Sequence, residues 1–332
     1  MRVSFLLPDE TDLAGLRRLD PDRHHEQFKR GERAWVLQTY LRLAAAGRPV
    51  ELTGEPPADG LVVFHSKHRK WLIAHAGALR RAILVGIRGD LHAPLVADFE
   101  VLQNGWFADG RRLFHVPHWP QPGLLARDPA RGDAIRRVAY KGFARNLTAE
   151  FRERRWLGYL AARGLEWEYG AAEFAGPATD DLRLGWHDFR CVDLIVAVRP
   201  PSRRLHPGKP ATKLINAWLA GVPALLGPEI AYRQLRRSPF DYSEVRGIDQ
   251  AIAAVERLLA DPALYRAMRK QCGTRAAEMT PASWIEAWSD LLFTTLPALA
   301  EEVRESPLHR LPLALRAPLR GTGRWMRWRP AR

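Results

Sequence analysis

The run from Val192 to Pro228 constrains this chain more than any other part of it. Val192-Asp-Leu-Ile-Val-Ala-Val198 is an apolar stretch of the length and β-branched content of a strand buried on both faces. It leads into the loop His206-Pro-Gly-Lys-Pro-Ala-Thr212. A helix follows over about Thr212–Ala220, with Gly221 as its stop, and then Pro223-Ala-Leu-Leu-Gly227 as the next strand. Strand, loop, helix and strand in this order make one right-handed crossover of a parallel sheet. The loop also has a chemical consequence. A helix N-terminus presents main-chain N–H groups with no internal partner, and Lys209 and Lys213 stand beside it. An anion such as a diphosphate suits that position at the carboxyl edge of a parallel sheet. From physics alone, an ordinary crossover with solvated lysines fits the same residues.

The rest of the chain repeats the alternation. Val3–Leu7, Gly60–His65, Arg81–Asp90, Ala97–Gln103 and Arg112–Val116 read as strands, and Glu32–Ala46 reads as a helix with Val36, Leu37, Tyr40 and Leu41 on one face. The sequence Pro117–Asp133 is rich in Pro, Gly and charge and reads as a connection between domains. A second alternating unit then starts at Ile135–Gly142. A helix is expected from about Thr148 to Ala162, capped by Asn146 or Thr148, then strands at Leu165–Tyr169 and Val192–Val198, and a helix carrying Ile248, Ile252, Val255 and Leu259. The expected fold class is therefore α/β, with two doubly wound Rossmann-like domains: residues 1–130 and 131–280. An apolar helix at 281–304 is read as bridging them, and a basic Arg/Trp tail fills 305–332.

At 332 residues the chain can bury two cores, and 46% hydrophobic with 27% charged residues is globular composition. Two cysteines far apart, Cys191 and Cys272, exclude a disulfide scaffold or a zinc cluster and fit a cytoplasmic protein. No apolar run reaches the roughly 18–20 residues of a membrane span. The net charge of +14 points first to nucleic acid, but the seven arginines between Arg310 and Arg332 supply half of it.

The segment Lys213-Leu-Ile-Asn-Ala-Trp-Leu-Ala-Gly-Val-Pro-Ala-Leu-Leu-Gly-Pro228 resembles the donor-binding helix of GT-B glycosyltransferases. Ala220-Gly221-Val222-Pro223 matches the end of the retaining-type motif, whereas Gly208 and Asn216 fall where that motif carries its two glutamates. The run is also similar to the α1,3-fucosyltransferase signature, with Lys213, Asn216, Ala217, Gly227 and Pro228 in place and Ile215 replacing an arginine. The resemblance spans about Arg137–Trp288. It implies two domains facing a cleft and transfer of a hexose or fucose from a nucleotide-sugar donor to a saccharide or lipid-linked acceptor. It implies that Lys213, Lys209 and Thr212 hold the donor diphosphate and that Asn216 reaches the ribose. Gly142 and Arg145, in the first loop of the second domain, would lie near the phosphates. Arg199 either lines the same site or ends its strand, and Glu229 is a candidate for a sugar or ribose hydroxyl.

A base acting on the acceptor is expected from the first domain, where His65 and Asp90 stand at strand ends. His115 and His118 bracket a turn without a carboxylate cluster and read as structural. Asp20-Pro-Asp22 is the one Asp-x-Asp and makes no convincing metal–diphosphate motif. The expectation is a metal-independent enzyme without a cofactor, in which Lys and Arg neutralise the leaving group. The tail Leu311–Pro330 mixes Arg with Leu and Trp, which suits an anionic membrane surface or nucleic acid, or a solvated end. Its prolines and glycines argue against a long regular helix there. Two other readings share the scaffold: a nucleic-acid-binding protein, less favoured, and a GT-B subunit without catalysis.

Overall fold

The computed structural model describes residues 1–172 and 184–324. The chain divides into two compact units. The first comprises Met1–Pro21, Arg30–Trp119 and Trp284–Arg332, and the second comprises Asp22–Lys29 and Pro120–Ser283.

The first unit is built on a six-stranded parallel sheet of β1 (Val3–Leu6), β2 (Val50–Thr53), β3 (Asp59–His65), β4 (Arg81–Ile87), β5 (Phe99–Leu102) and β6 (Leu113–His115), in the order β2-β1-β3-β4-β5-β6. Phe5, Val62, Phe64, Ile83 and Val85 are fully buried, as strands covered by helices on both faces require. The strand order reverses between β1 and β3. At such a switch point the crossovers leave by opposite faces and a crevice opens at the carboxyl ends.

The second unit repeats the design with β7 (Arg137–Phe143), β8 (Glu166–Ala172), β9 (Leu194–Ala197), β10 (Ala224–Leu226) and β11 (Ser243–Glu244), in the order β11-β10-β9-β7-β8, all parallel. Its switch point lies between β7 and β9. At the opposite edge Asp193 is buried, accepting hydrogen bonds from Arg127 and Arg131 (2.7 and 2.6 Å) and from the main-chain N–H groups of Arg136 and Arg137, both at 2.9 Å. Burial opposes its ionisation, but the Arg131, main-chain and Arg127 hydrogen bonds outweigh this and hold its pKa at about 2.

Several expectations are revised. The helix after β7 begins at Arg154 and ends at Ala162. Thr148 does not cap it; its N–H and hydroxyl both donate to Val198 O at 2.8 Å, which ties the loop to the end of β9. The expected apolar helix runs as Pro281–Asp290, a π-type turn Leu291–Thr295 and Leu296–Glu305, with Trp284, Trp288, Leu292 and Leu296 buried in the first unit.

The basic tail is helical at Leu313–Arg324 despite Pro318 inside it. A proline mid-helix costs about 3 kcal/mol, and docking offsets it. Leu313 joins the core around Val62, Phe64, Leu72 and Leu84. Arg316 is buried against Asp98 (3.6 Å) and His309 Nδ1 (3.2 Å). Asp98 also accepts from Leu84 N at 2.9 Å, so β4, β5 and the tail meet at one carboxylate. The segment that supplies half of the excess positive charge is therefore partly internal. Among the described residues no helix is long and apolar enough to cross a membrane.

Candidate functional site

The second unit gathers most of the candidate side chains at the β7/β9 switch point. β7 ends in Lys141-Gly142-Phe143 and β9 runs out through Val198 into Arg199. The Thr212–Ala220 helix points its N-terminus at this edge, with Ala211 in the cap position and no side chain capping it. Lys213 Nζ donates to Lys141 O at 2.8 Å and lies 5.2 Å from the Tyr140 ring centre. The residue as a whole is half-buried, while its ammonium end is desolvated. Burial, reinforced by the positive charge of Arg199 and opposed by Glu229, brings its pKa down to about 7. Gly142 makes this possible. Its φ is +154°, and a Cβ there would stand 2.5 Å from Lys213 Nζ.

Arg199 Nε donates to Glu229 at 3.0 Å, with side-chain exposures of 10% and 1%. Arg199 Nη1, Glu229 Oε1 and the Tyr232 hydroxyl, on which both charges of the pair act, are buried without hydrogen-bond partners among the described residues, and so is Thr212 Oγ1, next to Lys213 in sequence. Buried polar atoms are almost always paired, so the orphans of this pair and Tyr232 make the place a candidate ligand site. The loop before the helix holds Leu205 and His206 at φ of +50° and +52°. Left-handed backbone costs about 1–2 kcal/mol per non-glycine residue, and such strain concentrates at binding sites.

Five of the eight donor-site candidates thus converge: Gly142, Arg199, Thr212, Lys213 and Glu229. Lys209 lies near enough for its charge to lower the Lys213 pKa further. Asn216 is elsewhere engaged, its carbonyl accepting from Gln121 N at 3.0 Å on the connecting segment. Arg145 is exposed, with its guanidinium 5.3 Å from the Phe143 ring centre. Sequence reasoning missed Tyr140 and Tyr232. Tyr140 has a findable signal, since it precedes Lys141-Gly142 on the strand that ends at the switch point.

The first unit has its own polar cluster at the β1/β3 switch point. His65 is 3% exposed and neither ring nitrogen has a hydrogen-bond partner among the described residues. Glycines wall it: a Cβ at Gly89 would lie 2.8 Å from His65 Nε2, and one at Gly31 would lie 3.2 Å away. Burial pushes its pKa down to about 4, with Glu32 and Asp90 opposing. Asp90 is exposed, and its charge acts on His118 as well as on His65. Burial likewise lowers His118 to about 4, and its ring packs edge-on to Trp35 at 4.0 Å. His118 therefore belongs to the His65–Asp90 neighbourhood, a placement its sequence position did not suggest. Next to it, Lys67 bridges Asp9 (3.0 Å) and Glu32 (2.7 Å), Asp9 lies 3.4 Å from His68 Nε2, and Arg33 pairs with Glu10 at 2.7 Å. Asp22, of the Asp-x-Asp sequence, accepts from Gly123 N at 2.9 Å. Among the described residues no group of three or more His, Cys, Asp or Glu could hold a metal ion.

No known protein-family profile and no curated protein sequence matches the chain. Solved structures do. The pneumococcal O-GlcNAc transferase GtfA, in complex with UDP and GlcNAc, superposes with a TM-score of 0.50 at 9% identity, over 82% of this chain and 60% of that one. Anabaena HepE, in complex with UDP and glucose, gives 0.48 at 13% identity over 89% and 100% of the two chains. WaaG, a glycosyltransferase involved in lipopolysaccharide biosynthesis, gives 0.46 at 13% identity over 88% and 100%. At such identities the likeness concerns fold, and the fold is the two-unit α/β fold of GT-B glycosyltransferases.

Proposed function

We propose that this chain is a glycosyltransferase that moves a sugar of hexose or fucose type from a nucleotide-diphosphate donor to a saccharide or lipid-linked acceptor. The observation that carries this reading is Lys213. Its ammonium is held against Lys141 O at the end of β7, and the residue stands in the first turn of the Thr212–Ala220 helix, whose N-terminus no side chain caps. The pneumococcal relative in fold is an O-GlcNAc transferase crystallised with UDP and GlcNAc, which agrees with a donor of this class.

In this reading the diphosphate lies along the helix N-terminus, where main-chain N–H groups and Lys213 meet its charge. Arg199 and Lys209 add to the field. As the sugar–phosphate bond breaks, negative charge grows on the leaving oxygen, and fixed cations in a desolvated site stabilise it without a metal or cofactor. The arriving diphosphate restores the full charge of Lys213, because its negative charge offsets the burial that opposes protonation. Asn216 has its carbonyl held by Gln121 N, so only its amide nitrogen is offered to the ribose side in this reading, and the exposed Arg145 is read as serving the phosphate side.

For the acceptor, His65 is the candidate hydrogen-bonding group and Asp90 the candidate base. A histidine with a pKa of about 4 is neutral at pH 7 and too weak to be an efficient base there. Its neutral ring is instead suited to hold a sugar hydroxyl. The protein is read as cytoplasmic, with the end of its tail offering contact to an anionic membrane surface; Trp325–Arg332 lies outside the described residues.

The test is a panel of UDP-, GDP-, ADP-, CMP- and dTDP-sugars, followed by thermal shift and nucleotide release. The reading expects stabilisation and slow release with at least one donor. No response to any of them, with the folded state verified, would overturn it.

A further inference from the structure

Adjoining the Lys213 site, and sharing Arg199 and Glu229 with it, the second unit has a cavity of about 370 Å³ at the carboxyl ends of β9 and β10. Its lining includes Arg199, Ser202, His206, Glu229, Arg233 and Arg246. The volume is within the ~300–1,000 Å³ typical of small-molecule pockets, and the chemistry of its wall is uneven in an informative way.

Two of the three arginines already have carboxylates. Arg199 is paired with Glu229, and Arg233 grips Glu244 through Nε and Nη2 at 2.7 and 2.6 Å. Arg246 is exposed at the rim and leaves the pocket with an excess positive charge. The loop from Arg199 to Lys209 adds Arg203, Arg204 and Lys209 and contains no acid. A ligand here meets a positive field. The wall nevertheless also offers an acceptor. Among the described residues, Glu229 Oε1 is buried with no donor and Arg199 Nη1 with no acceptor. Both side chains are at least nine-tenths buried, so water cannot easily serve them. A simple inorganic anion would satisfy Arg199 and Arg246 but repel Glu229. A neutral sugar would satisfy Glu229 and leave the arginines with weak partners.

The geometry points to a polyhydroxylated anion as the occupant: a saccharide carrying a carboxylate or phosphate, whose hydroxyl donates to Glu229 and whose anionic group lies against Arg199 and Arg246. This deepens the glycosyltransferase reading, on which it rests, by giving one of its two saccharides a negative charge. The charged saccharide is either the sugar on the donor or the acceptor.

Glucuronate and glucose 6-phosphate are the probes, with glucose as the neutral control, titrated into the full chain by ligand-observed NMR. At least one anionic sugar is expected to bind about tenfold or more tightly than glucose, and Arg246→Ala to shrink that preference to about threefold or less. Arg246→Lys is expected to keep most of it. Equal binding of charged and neutral sugars, or a preference untouched by Arg246→Ala, overturns the proposal. Repeating the titration with a saturating nucleotide sugar separates the sources, since displacement marks a donor-sugar subsite and simultaneous binding marks an acceptor subsite. A protein that prefers the anionic sugar yet binds no nucleoside diphosphate would keep this pocket and lose the glycosyltransferase reading. One that binds the diphosphate without that preference would do the reverse.

Discussion

The ammonium of Lys213 is hydrogen-bonded to the main-chain oxygen of Lys141 at 2.8 Å, which ties the first turn of the Thr212–Ala220 helix to the end of β7. Only a residue without a side chain can stand next to that bond. At Gly142 a Cβ would approach Lys213 Nζ to 2.5 Å and the Tyr140 hydroxyl to 2.9 Å. Gly142→Ala is predicted to weaken nucleoside-diphosphate binding by about tenfold or more, through displacement of Lys213. Calorimetric titration reads this directly, and affinity within about twofold of wild type would show that Lys213 does not hold the ligand.

The pKa of Lys213, about 7, gives a signed pH dependence. The charged form binds a diphosphate, so affinity is predicted to fall as pH rises above about 7, by up to tenfold per pH unit. Lys213→Arg stays charged throughout, and its affinity should be nearly flat between about pH 7 and 9. Parallel slopes for the two proteins would remove Lys213 from the site.

His65 and His118 affect stability in the acid range. Each has a folded-state pKa of about 4 against the ordinary histidine value of 6.5. The unfolded chain therefore binds more protons between these values, and stability falls as pH drops from about 6.5 towards 4. Each group contributes at most about 3 kcal/mol, since a tenfold change in a protonation equilibrium is worth ~1.4 kcal/mol. Urea midpoints for His65→Asn should lose part of this slope. A slope unchanged from wild type would mean the ring is protonated or solvated in the native state.

Arg316 anchors the tail helix on Asp98. Arg316→Met removes the guanidinium that stands 3.6 Å from Asp98, and removing one partner of a buried pair costs about 3–5 kcal/mol. A midpoint change worth less than about 0.5 kcal/mol, the range of an ordinary surface substitution, would mean that the tail is not docked this way.

The parts of the fold legible in sequence were those whose residues all face the core. β3, β4 and β9 read as apolar runs because both faces are covered. β2 escaped notice because Val50-Glu-Leu-Thr53 lies at the sheet edge and buries only Leu52. The Pro262–Glu278 helix was hidden for another reason: its buried positions are Tyr265, Met268, Cys272 and Arg275, a stripe whose period holds but whose last member is charged. The cluster at the β7/β9 switch point was legible because a single crossover carries Arg199, Thr212 and Lys213. The ionic lattice of Asp9, Glu32, Lys67 and His68 was not, since three segments far apart in sequence bring it together only at the β1/β3 switch point. The tail misled because Arg316 looks like surface charge until Asp98 is placed beside it.

The most direct measurement is calorimetric titration of nucleoside diphosphates into the wild-type chain and Lys213→Ala at about pH 7. The account predicts binding of at least one nucleoside diphosphate by the wild type and a loss of about tenfold or more in the variant. Equal binding by both proteins, or by neither, would contradict it.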